Sequence, residues 1–423
     1  MFNMSKRHEP DEKNEKIYSY FPNTNNVYIN LLTSVEIKEK EENVYKIFDS
    51  IVNKEMLTLA YSGGKDSTIL AILLLRWLRL RKIKGLTITL LHNDTLSEIN
   101  PMELWAREFM YRFKQEAESL GNGVNINIVK PSIIDSFYWR VFIRGYPAPS
   151  FSFRWCVELL KIRPTSKIDN GNLFLVGLRE NESATRVSLV RKKYGSCSEG
   201  AGKCLAYYFS TYTENKVAPL RDWSNADVWE FLRNVDDIDI SSLLYLYGCE
   251  EARYGCWHCT LTKVQWGLHA LDDRYLYWDA LRLLYRKISD MPELRLRKNK
   301  GYSKLGALNA CARALLLRLL RVTEEVSGIN AYGLDELDYK GYTLRTILYE
   351  LDVKEADRLI DEIDPNIDNK RKVSIKNIRD LSKYSSKINN ICDKLIDITK
   401  KEKSQILARK RQIDPINILL HRL

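Results

Sequence analysis

The sequence lacks any apolar run that approaches the roughly 18 residues of a membrane-spanning helix. Its opening stretch, MFNMSKRHEPDEKNEK, is polar throughout, whereas a secretory signal needs a charged segment followed by an apolar one. Internal repeats and low-complexity segments are absent as well, which favours a globular chain over a disordered one. We therefore expect a globular protein of the cytoplasm with no membrane partner.

A disulfide framework is not indicated either. In a cytoplasmic chain, the eight cysteines among 423 residues are more typical of free thiols, metal ligands or catalytic groups. Disulfides remain the alternative, because richness in Lys, Ile and Arg is compatible with a thermophile. With 45% hydrophobic residues, the chain is able to bury a full core and is predicted to form two or three domains.

Positive charge is concentrated at one end of the sequence. Residues 369–423 contain 15 Lys and Arg against five Asp and Glu, so they carry +10 of the total net charge of +11. A local basic segment suits a polyanion such as DNA or RNA through contacts with phosphates. The alternative is a solvated, lysine-rich helical face.

The first two thirds of the chain alternate between strand and helix patterns. Residues 1–33 show no periodicity and are interpreted as a polar leader. The predicted strands span 56–61, 86–91, 124–129 and 173–176, and the predicted helices span 35–53, a stretch from 67 onward and 102–120. This alternation predicts an α/β fold with a parallel sheet.

After residue 266 the strand signals fade and helical patterns follow, at 307–322 and 354–363. The Asp364-Pro365 pair predicts a break before the basic segment. We therefore predict a nucleotide-binding domain at 34–266, a helical domain at 267–363 and a basic helical tail at 364–423. The chemistry is expected before residue 267.

A glycine-containing loop joins the first predicted strand to a long apolar helix. Its sequence is SGGKDS (62–67), and two glycines allow the backbone to wrap an anion at a helix N-terminus while Lys65 adds positive charge. The spacing differs from the Walker pattern, which has four residues between its first Gly and its Gly-Lys pair. The predicted nucleotide-binding residues are Ser62, Gly63, Gly64, Lys65, Asp66, Ser67 and Asp94.

Two aspartates of this set are candidate Mg²⁺ contacts. Mg²⁺ takes one or two carboxylates together with substrate oxygens, which suits Asp66 in the loop. Asp94 follows the second predicted strand, at the sheet edge where α/β proteins bind ligands. Either aspartate has the alternative role of a helix cap or turn residue.

Four cysteines have spacing suited to a metal site. Cys249, Cys256 and Cys259 form C-x6-C-x2-C, and the distant Cys156 adds a fourth thiolate. Four thiolates are able to ligate either one [4Fe–4S] cluster or a structural Zn²⁺. His258 lies between two of them and is interpreted as a neighbour of the site or an exposed residue, not a ligand.

The remaining cysteines fall into two groups. Cys197 and Cys204 lie in a glycine-containing loop and are interpreted either as an ordinary or disulfide-forming pair or as a sulfur relay. Cys311 and Cys392 lie in helical patterns and are expected to be small buried side chains.

Several phrases together resemble one known family. The loop SGGKDS is similar to the PP-loop of ATP pyrophosphatases, and six further phrases resemble the DndC family of DNA phosphorothioation sulfurtransferases, in the same order. These phrases are DTLSEINP (94–101), GYPAP (145–149), FRWC (153–156), LKIRP (160–164), GLR with Glu182-Ser183 and Arg186 (177–186), and GCWHC (255–259). The resemblance covers roughly residues 45–345. Val157, the extra Ile99 and the basic tail depart from the family pattern.

The resemblance implies an ATP-dependent sulfurtransferase that uses ATP and Mg²⁺, adenylates a DNA backbone phosphate and incorporates sulfur. It implies that the cysteines hold a [4Fe–4S] cluster, with zinc as the competitor. It implies as partners DNA, a cysteine desulfurase as sulfur donor and other Dnd-type subunits. The residues implied as catalytic are Lys65, Asp66, Arg154, Arg179 and Arg186, and Lys161 and Arg163 are further basic residues of the same phrases.

Other functions remain open. A PAPS or APS reductase shares the fold, but it typically has a nucleophilic cysteine near the C-terminus, where this sequence ends in HisArgLeu. A tRNA thiolase and a non-catalytic DNA-binding subunit are the further alternatives. The segment PLRDWSNADVW (219–229) resembles a phrase of PAPS reductases, but Ser224 and Asp227 also predict a capping box at a helix start.

Overall fold

A five-stranded parallel sheet forms the centre of the first half of the chain. The computed structural model describes residues 35–51, 56–166, 168, 173–180, 216–248, 252, 254–297, 305–368, 371–401 and 407–423. Within these residues the strands are β1 Met56–Tyr61, β2 Thr87–Asn93, β3 Gly123–Val129, β4 Leu173–Val176 and β5 Lys216–Val217. They are ordered β3-β2-β1-β4-β5, and every neighbouring pair is parallel. The predicted α/β fold with a parallel sheet is confirmed.

Helices flank this sheet. They are α1 Val35–Ile51, α2 Lys65–Leu80, α3 Asn100–Ser119, α4 Trp155–Val157, α5 Arg163–Ser166, α6 Asn225–Arg233 and α7 Ser241–Tyr247, with π-helical turns at Trp139–Ile143 and Glu158–Ile162 and a 3-10 turn at Ile133–Asp135. α2 is apolar on nearly every side and is buried along most of its length. α6 begins at the predicted capping box, in which Asp227 N–H donates to Ser224 Oγ at 3.1 Å.

The C-terminal region is mainly helical, as predicted. Its helices are α8 Trp266–Ala270, α9 Tyr275–Asp290, α10 Ala310–Ser327, α11 Val353–Ile363, α12 Ile375–Arg379, α13 Ser385–Lys401 and α14 Leu407–His421. Two antiparallel ribbons interrupt them, β6 Arg295–Arg297 with β7 Leu305–Leu308 and β8 Asp338–Tyr339 with β9 Tyr342–Thr343. Shorter turns lie at Pro292–Leu294, Thr346–Glu350 and Ser382–Tyr384. Within the described ranges, no helix combines the length and apolar character needed to cross a membrane.

Two large hydrophobic cores and one small cluster, formed by Leu91, Val129 and Phe174, lie within the described residues. The first lies between the sheet and helices α1, α2, α3, α6 and α7. The second joins α9, α10 and α14 to residues 137–160, which precede β4 in the sequence. The predicted boundary at residue 266 therefore falls inside a core that draws side chains from both of its sides. The division into domains stays a prediction.

Candidate nucleotide and thiol site

The loop after β1 has a backbone shape that only glycine fits. Gly63 has a φ of +76°, in the left-handed region, and a Cβ at this position would lie 2.7 Å from Ala106 Cβ on α3. Trp105 Nε1 donates a hydrogen bond to Gly63 O at 3.0 Å. Both contacts press the loop against α3, so the turn is fixed where β1 ends and α2 begins.

Two serines close this loop. Ser67 Oγ accepts from Ser62 N–H at 3.2 Å and lies 3.0 Å from Ser62 Oγ. It also donates to Gly64 O at 3.0 Å. The loop therefore sits at the N-terminus of α2, where the helix dipole and the first N–H groups favour an anion such as phosphate.

Lys65 is held by an aromatic side chain from α7. Its backbone N–H donates to Tyr247 OH at 3.2 Å, and its Nζ lies 5.3 Å from the centroid of the same ring. The side chain is buried. Tyr247 was not identified from the sequence, because 182 residues separate it from Lys65 and nothing local marks the contact.

Asp66 pairs with the predicted Arg179. The distance from Arg179 Nε to Asp66 Oδ1 is 2.7 Å, and both side chains are largely buried. Gly177 allows the chain after β4 to lie this close to α2, because a Cβ at this position would lie 2.9 Å from the backbone nitrogen of Ser67. The chain after β4 thus packs directly on the start of α2. The structure brings Arg179 to the nucleotide loop, as the resemblance implied.

Asp94 occupies a buried structural position. Its Oδ2 accepts from Tyr332 OH at 2.6 Å and pairs with Arg107 Nη2 at 3.0 Å, while its Oδ1 accepts from Leu96 N–H at 2.9 Å. Protein groups therefore bind both carboxylate oxygens. This geometry matches the turn alternative and not the predicted contact with Mg²⁺.

The two aspartates should respond differently to removal of the negative charge. We expect Asp94→Asn to lower the free energy of unfolding by about 1 to 3 kcal/mol, because Arg107 and Tyr332 lose the charged acceptor that the buried Asp94 provides. Asp66→Asn should instead raise the Mg²⁺ concentration needed for half-maximal ATP cleavage by about tenfold or more. Urea unfolding and Mg²⁺ titration of pyrophosphate release measure the two effects. A shifted Mg²⁺ requirement in Asp94→Asn alone would reverse these roles.

A buried ionic chain continues from Asp94 along the sheet edge. His92 Nε2 lies 2.9 Å from Glu103 Oε2, and Glu103 Oε1 pairs with Arg107 Nε at 2.8 Å. Burial opposes the charged imidazole, but the hydrogen bond and charge of Glu103 outweigh it and raise the pKa of His92. These residues were missed from the sequence, although the i,i+4 spacing of Glu103 and Arg107 on α3 was a local signal.

The cysteine segment, residues 254–263, packs against the loop that follows β2. Cys256 Sγ lies 3.2 Å from Thr95 Oγ1 and 3.6 Å from Glu98 Oε1. Trp257 N–H donates to Ser97 O at 3.0 Å. Burial, reinforced by the negative charge of Glu98, raises the pKa of Cys256 to about 12. The DTLSE and GCWHC phrases therefore meet in space.

A buried arginine on α9 fixes the far end of this segment. Arg282 Nη1 donates to Cys259 O at 3.1 Å and to Thr262 O at 2.9 Å. Arg282 Nε donates to the buried carboxylate of Asp279 at 2.6 Å, and His269 Nε2 lies 2.8 Å from the second oxygen of that carboxylate. The helical C-terminal region thus positions the cysteine segment.

His258 is buried and not exposed. Its ring stacks on Phe137 with centroids 3.7 Å apart, and its Nε2 lies 3.0 Å from Ser97 Oγ. Burial lowers its pKa to about 3. Of the two sequence interpretations, that of a neighbour of the thiols therefore holds, and that of an exposed residue is wrong.

Lys161 lies among the described thiols. Cys256 raises its pKa most strongly, burial opposes this, and Glu98, Cys259 and Cys156 raise it further. Lys161 is exposed, because it lines an open cavity. The structure places Lys161 inside the site, whereas Arg163 lies at its margin and pairs with Asp135 at 3.1 Å.

One cavity joins the nucleotide loop to the thiol region. It has a volume of about 560 Å³ and opens at the carboxyl ends of β1, β2 and β4. Ser62 and Gly64 line it on the loop side, and Lys161 and Gly255 line it on the side of the cysteine segment. Its position is the sheet edge at which α/β proteins bind ligands.

Some predicted site residues lie elsewhere or outside the described residues. Arg154 is exposed, with its guanidinium 5.3 Å from the centroid of the Phe151 ring, and it does not join the nucleotide loop. The predicted residues that fall outside the described ranges are Arg186, Glu182, Ser183, Cys197, Cys204 and Cys249. Of the described cysteines, Cys156, Cys256, Cys259, Cys311 and Cys392 are free thiols. Cys311 is buried, as predicted, and Cys392 is only partly buried.

The structure describes three of the four cysteines that were predicted to bind a metal. Among the residues that the structure describes, no group of three or more His, Cys, Asp or Glu side chains is arranged to hold a metal ion. The three described cysteines of the predicted site all act electrostatically on Lys161, but without Cys249 they do not form a site. The [4Fe–4S] cluster stays a prediction.

Comparison with known proteins finds a similarity that includes most of the first part of the chain. Residues 56–262 match the model of the phosphoadenosine phosphosulfate reductase domain. An uncharacterized protein of Methanocaldococcus jannaschii is 26% identical over 213 residues, which cover 49% of this chain and 36% of that protein. The chain thus matches little more than a third of that relative's length.

A solved structure also matches. It is the phosphate complex of phosphoadenylyl-sulfate (PAPS) reductase from Candida auris, with 16% sequence identity and a TM-score of 0.32 over 54% of this chain and 98% of that chain. The match to the family model covers the nucleotide loop, the cavity and the cysteine segment. Residues 56–262, just under half of the chain, are therefore similar to the phosphoadenosine phosphosulfate reductase domain.

Proposed function

We propose that this chain is an ATP-dependent sulfurtransferase that adenylates a DNA backbone phosphate and then replaces AMP with sulfur. The observation that carries the proposal is the shared cavity, which has the nucleotide loop on one wall and Lys161 and Gly255 on another. Gly255 directly precedes Cys256. Activation by a nucleotide and delivery of sulfur require both reactants in one place, and a shared cavity supplies that proximity.

In the proposed first step, an oxygen of the DNA phosphate attacks the α-phosphorus of ATP. The bond from this phosphorus to the bridging oxygen breaks, and pyrophosphate leaves. Lys65 and the N–H groups at the start of α2 stabilise the negative charge that develops on the leaving group. Asp66, held by Arg179, would bind Mg²⁺ against the phosphates.

In the second step, a cysteine desulfurase supplies sulfur as a persulfide. The terminal sulfur attacks the activated phosphorus and AMP leaves. A second thiol then attacks the sulfur–sulfur bond, so that a disulfide forms and the phosphorothioate is released. Lys161 would hold the anionic acceptor beside the thiols, because its positive charge faces the cavity.

We also propose the [4Fe–4S] cluster, with Cys156, Cys249, Cys256 and Cys259 as its ligands. Such a cluster would supply electron transfer or sulfur handling beside the cavity. No step above runs through it. Anaerobic purification with iron and acid-labile sulfide analysis tests it: about four iron and four sulfide per chain, lost in Cys256→Ala, would support the cluster, and stoichiometric zinc without sulfide would reject it.

A PAPS or APS reductase is the second candidate, and the family match of residues 56–262 favours it. It would release sulfite from PAPS or APS without any DNA acceptor. A tRNA thiolase would place sulfur in RNA.

One assay separates these functions. The full chain is incubated anaerobically with ATP, Mg²⁺, a cysteine desulfurase with cysteine, other Dnd-type subunits, and DNA, RNA or PAPS in parallel reactions. Mass spectrometry detects phosphorothioate after DNA digestion. Sulfur in DNA that depends on ATP and accompanies pyrophosphate would support the proposal. Sulfite from PAPS or sulfur only in RNA would replace it, and the absence of pyrophosphate in every mixture would favour a non-catalytic DNA-binding subunit.

A further inference from the structure

An exposed hairpin stands beside the thiol site. This aromatic hairpin, residues 150–154, is closed by hydrogen bonds between the backbones of Ser150 and Phe153, at 3.1 and 3.3 Å. Phe151 is 75% exposed and Phe153 is 45% exposed. Phe153 also stacks on Tyr146, with ring centroids 6.1 Å apart, and the exposed parts of Phe151 and Phe153 mark a candidate binding surface.

The same hairpin carries a cation. The guanidinium of Arg154 lies 5.3 Å from the centroid of the Phe151 ring, and the residue is exposed. Among the described residues, no carboxylate pairs with it. Exposed aromatic rings next to an arginine form a surface on which nucleobases stack while the cation binds a phosphate.

Hydrogen bonds hold the residues on both sides of the aromatic hairpin next to the site. On one side, Thr260 Oγ1 of the cysteine segment donates to Pro149 O at 2.6 Å. On the other side, Trp155 follows Arg154 directly and donates from Nε1 to Pro147 O at 3.0 Å. Cys156 comes next, and Lys161 follows in the π-helical turn. A strand lying on the hairpin would therefore pass close to the cavity.

We propose that the aromatic hairpin stacks the unpaired bases that flank the acceptor phosphate of a DNA strand. The inference rests on the proposed function and adds how the acceptor is held. Positive charge at Arg154, and at Lys161 in the cavity, complements a polyanion. A protein partner fits less well, since specific protein interfaces bury on the order of 1,200 Å² or more, far beyond two side chains.

The test compares two single-stranded oligonucleotides of equal length and charge, one with normal bases and one with abasic sites. Fluorescence anisotropy measures their affinity for the full chain without ATP. Wild type should bind the normal strand at least about fivefold more tightly, because each base that stacks on an aromatic ring adds to the affinity. Phe151→Ala with Phe153→Ala should abolish this preference. Tyr111→Ala, which removes a 63% exposed ring from α3, is the matched control and should keep it.

Each outcome separates this inference from the proposed function. Equal binding of the two strands by wild type, or a preference that survives in the double variant, overturns the stacking surface even where sulfur enters DNA. If the preference for the normal strand is lost only in the double variant, the stacking surface is supported. If, in that case, sulfur never enters DNA, only the sulfurtransferase proposal fails. A wild-type chain that binds neither strand overturns the stacking surface, and the assay of sulfur in DNA then decides the proposed function separately. Circular dichroism of the double variant checks that it is folded.

Discussion

Lys65→Ala should lower the rate of pyrophosphate release from ATP by about a hundredfold or more. Removing a single group that stabilises developing charge typically costs about 10² to 10³ in rate. Lys65 begins α2 beside the glycine loop, and Tyr247 contacts both its backbone and its side chain. The ammonium is thus held in a buried position before substrate arrives, so its loss would not be replaced by water.

Two further variants test whether the loss of rate is specific to the Lys65 side chain. Lys114→Ala removes a partly exposed lysine from α3 that, within the described part of the chain, pairs only with Glu118, at 3.5 Å, and should leave the rate unchanged. Tyr247→Phe keeps the ring but removes the hydroxyl that binds Lys65 N–H, so it should give a smaller loss. Steady-state pyrophosphate release at saturating ATP is the measurement. Full activity in Lys65→Ala would show that the loop is structural and not catalytic.

The local patterns of the sequence predicted four of the five strands of the described sheet and missed the two-residue strand β5. β1 and β4 have the predicted limits, and β2, β3 and α3 differ by only one or two residues. The four predicted strands are short and contain apolar residues with breaks beside them, so local patterns located them. α2 begins at Lys65 and not at 67, because a helix that starts at the glycine loop uses its first N–H groups there.

The sequence left two roles open for Asp94 and did not predict the contacts that its carboxylate makes. Its position after β2 suggested a ligand for Mg²⁺, but its partner Tyr332 lies 238 residues further along the chain. The same applies to Arg282, which fixes the cysteine segment from α9. Long-range contacts of this kind leave no local pattern. The phrases nevertheless identified which segments meet, since DTLSE contacts GCWHC through Ser97 and Thr95.

The same limitation applies to individual basic residues. From the phrases, Arg154 and Arg179 were predicted to be catalytic and Lys161 and Arg163 to be further basic residues, but the structure groups them differently. Arg179 reaches Asp66, Lys161 enters the cavity, and Arg154 stays on the surface. The π-helical turn Glu158–Ile162 contains Lys161, and no simple periodicity predicts such a turn.

Gly333→Ala should be the most destabilising glycine substitution described in this protein, lowering the free energy of unfolding by about 2 to 4 kcal/mol. Gly333 has a φ of +93°, and a Cβ there would lie only 2.7 Å from the carbonyl carbon of Leu96 and would also press on its oxygen. Leu96 itself has a φ of +57° and cannot easily yield, because Asp94 accepts from its N–H.

Gly341→Ala separates the two causes of this loss. Gly341 has a φ of +84°, but a Cβ there meets nothing within 4 Å, so its substitution should cost only the backbone strain of about 1 to 2 kcal/mol. Urea unfolding of both variants measures the difference. Equal losses of unfolding free energy would mean that the loop at Leu96 moves away from the added Cβ at no cost in free energy. A larger loss in Gly333→Ala would show that the helical C-terminal region, by docking on Leu96 and Asp94, holds the loop that carries Thr95 to the thiol of Cys256.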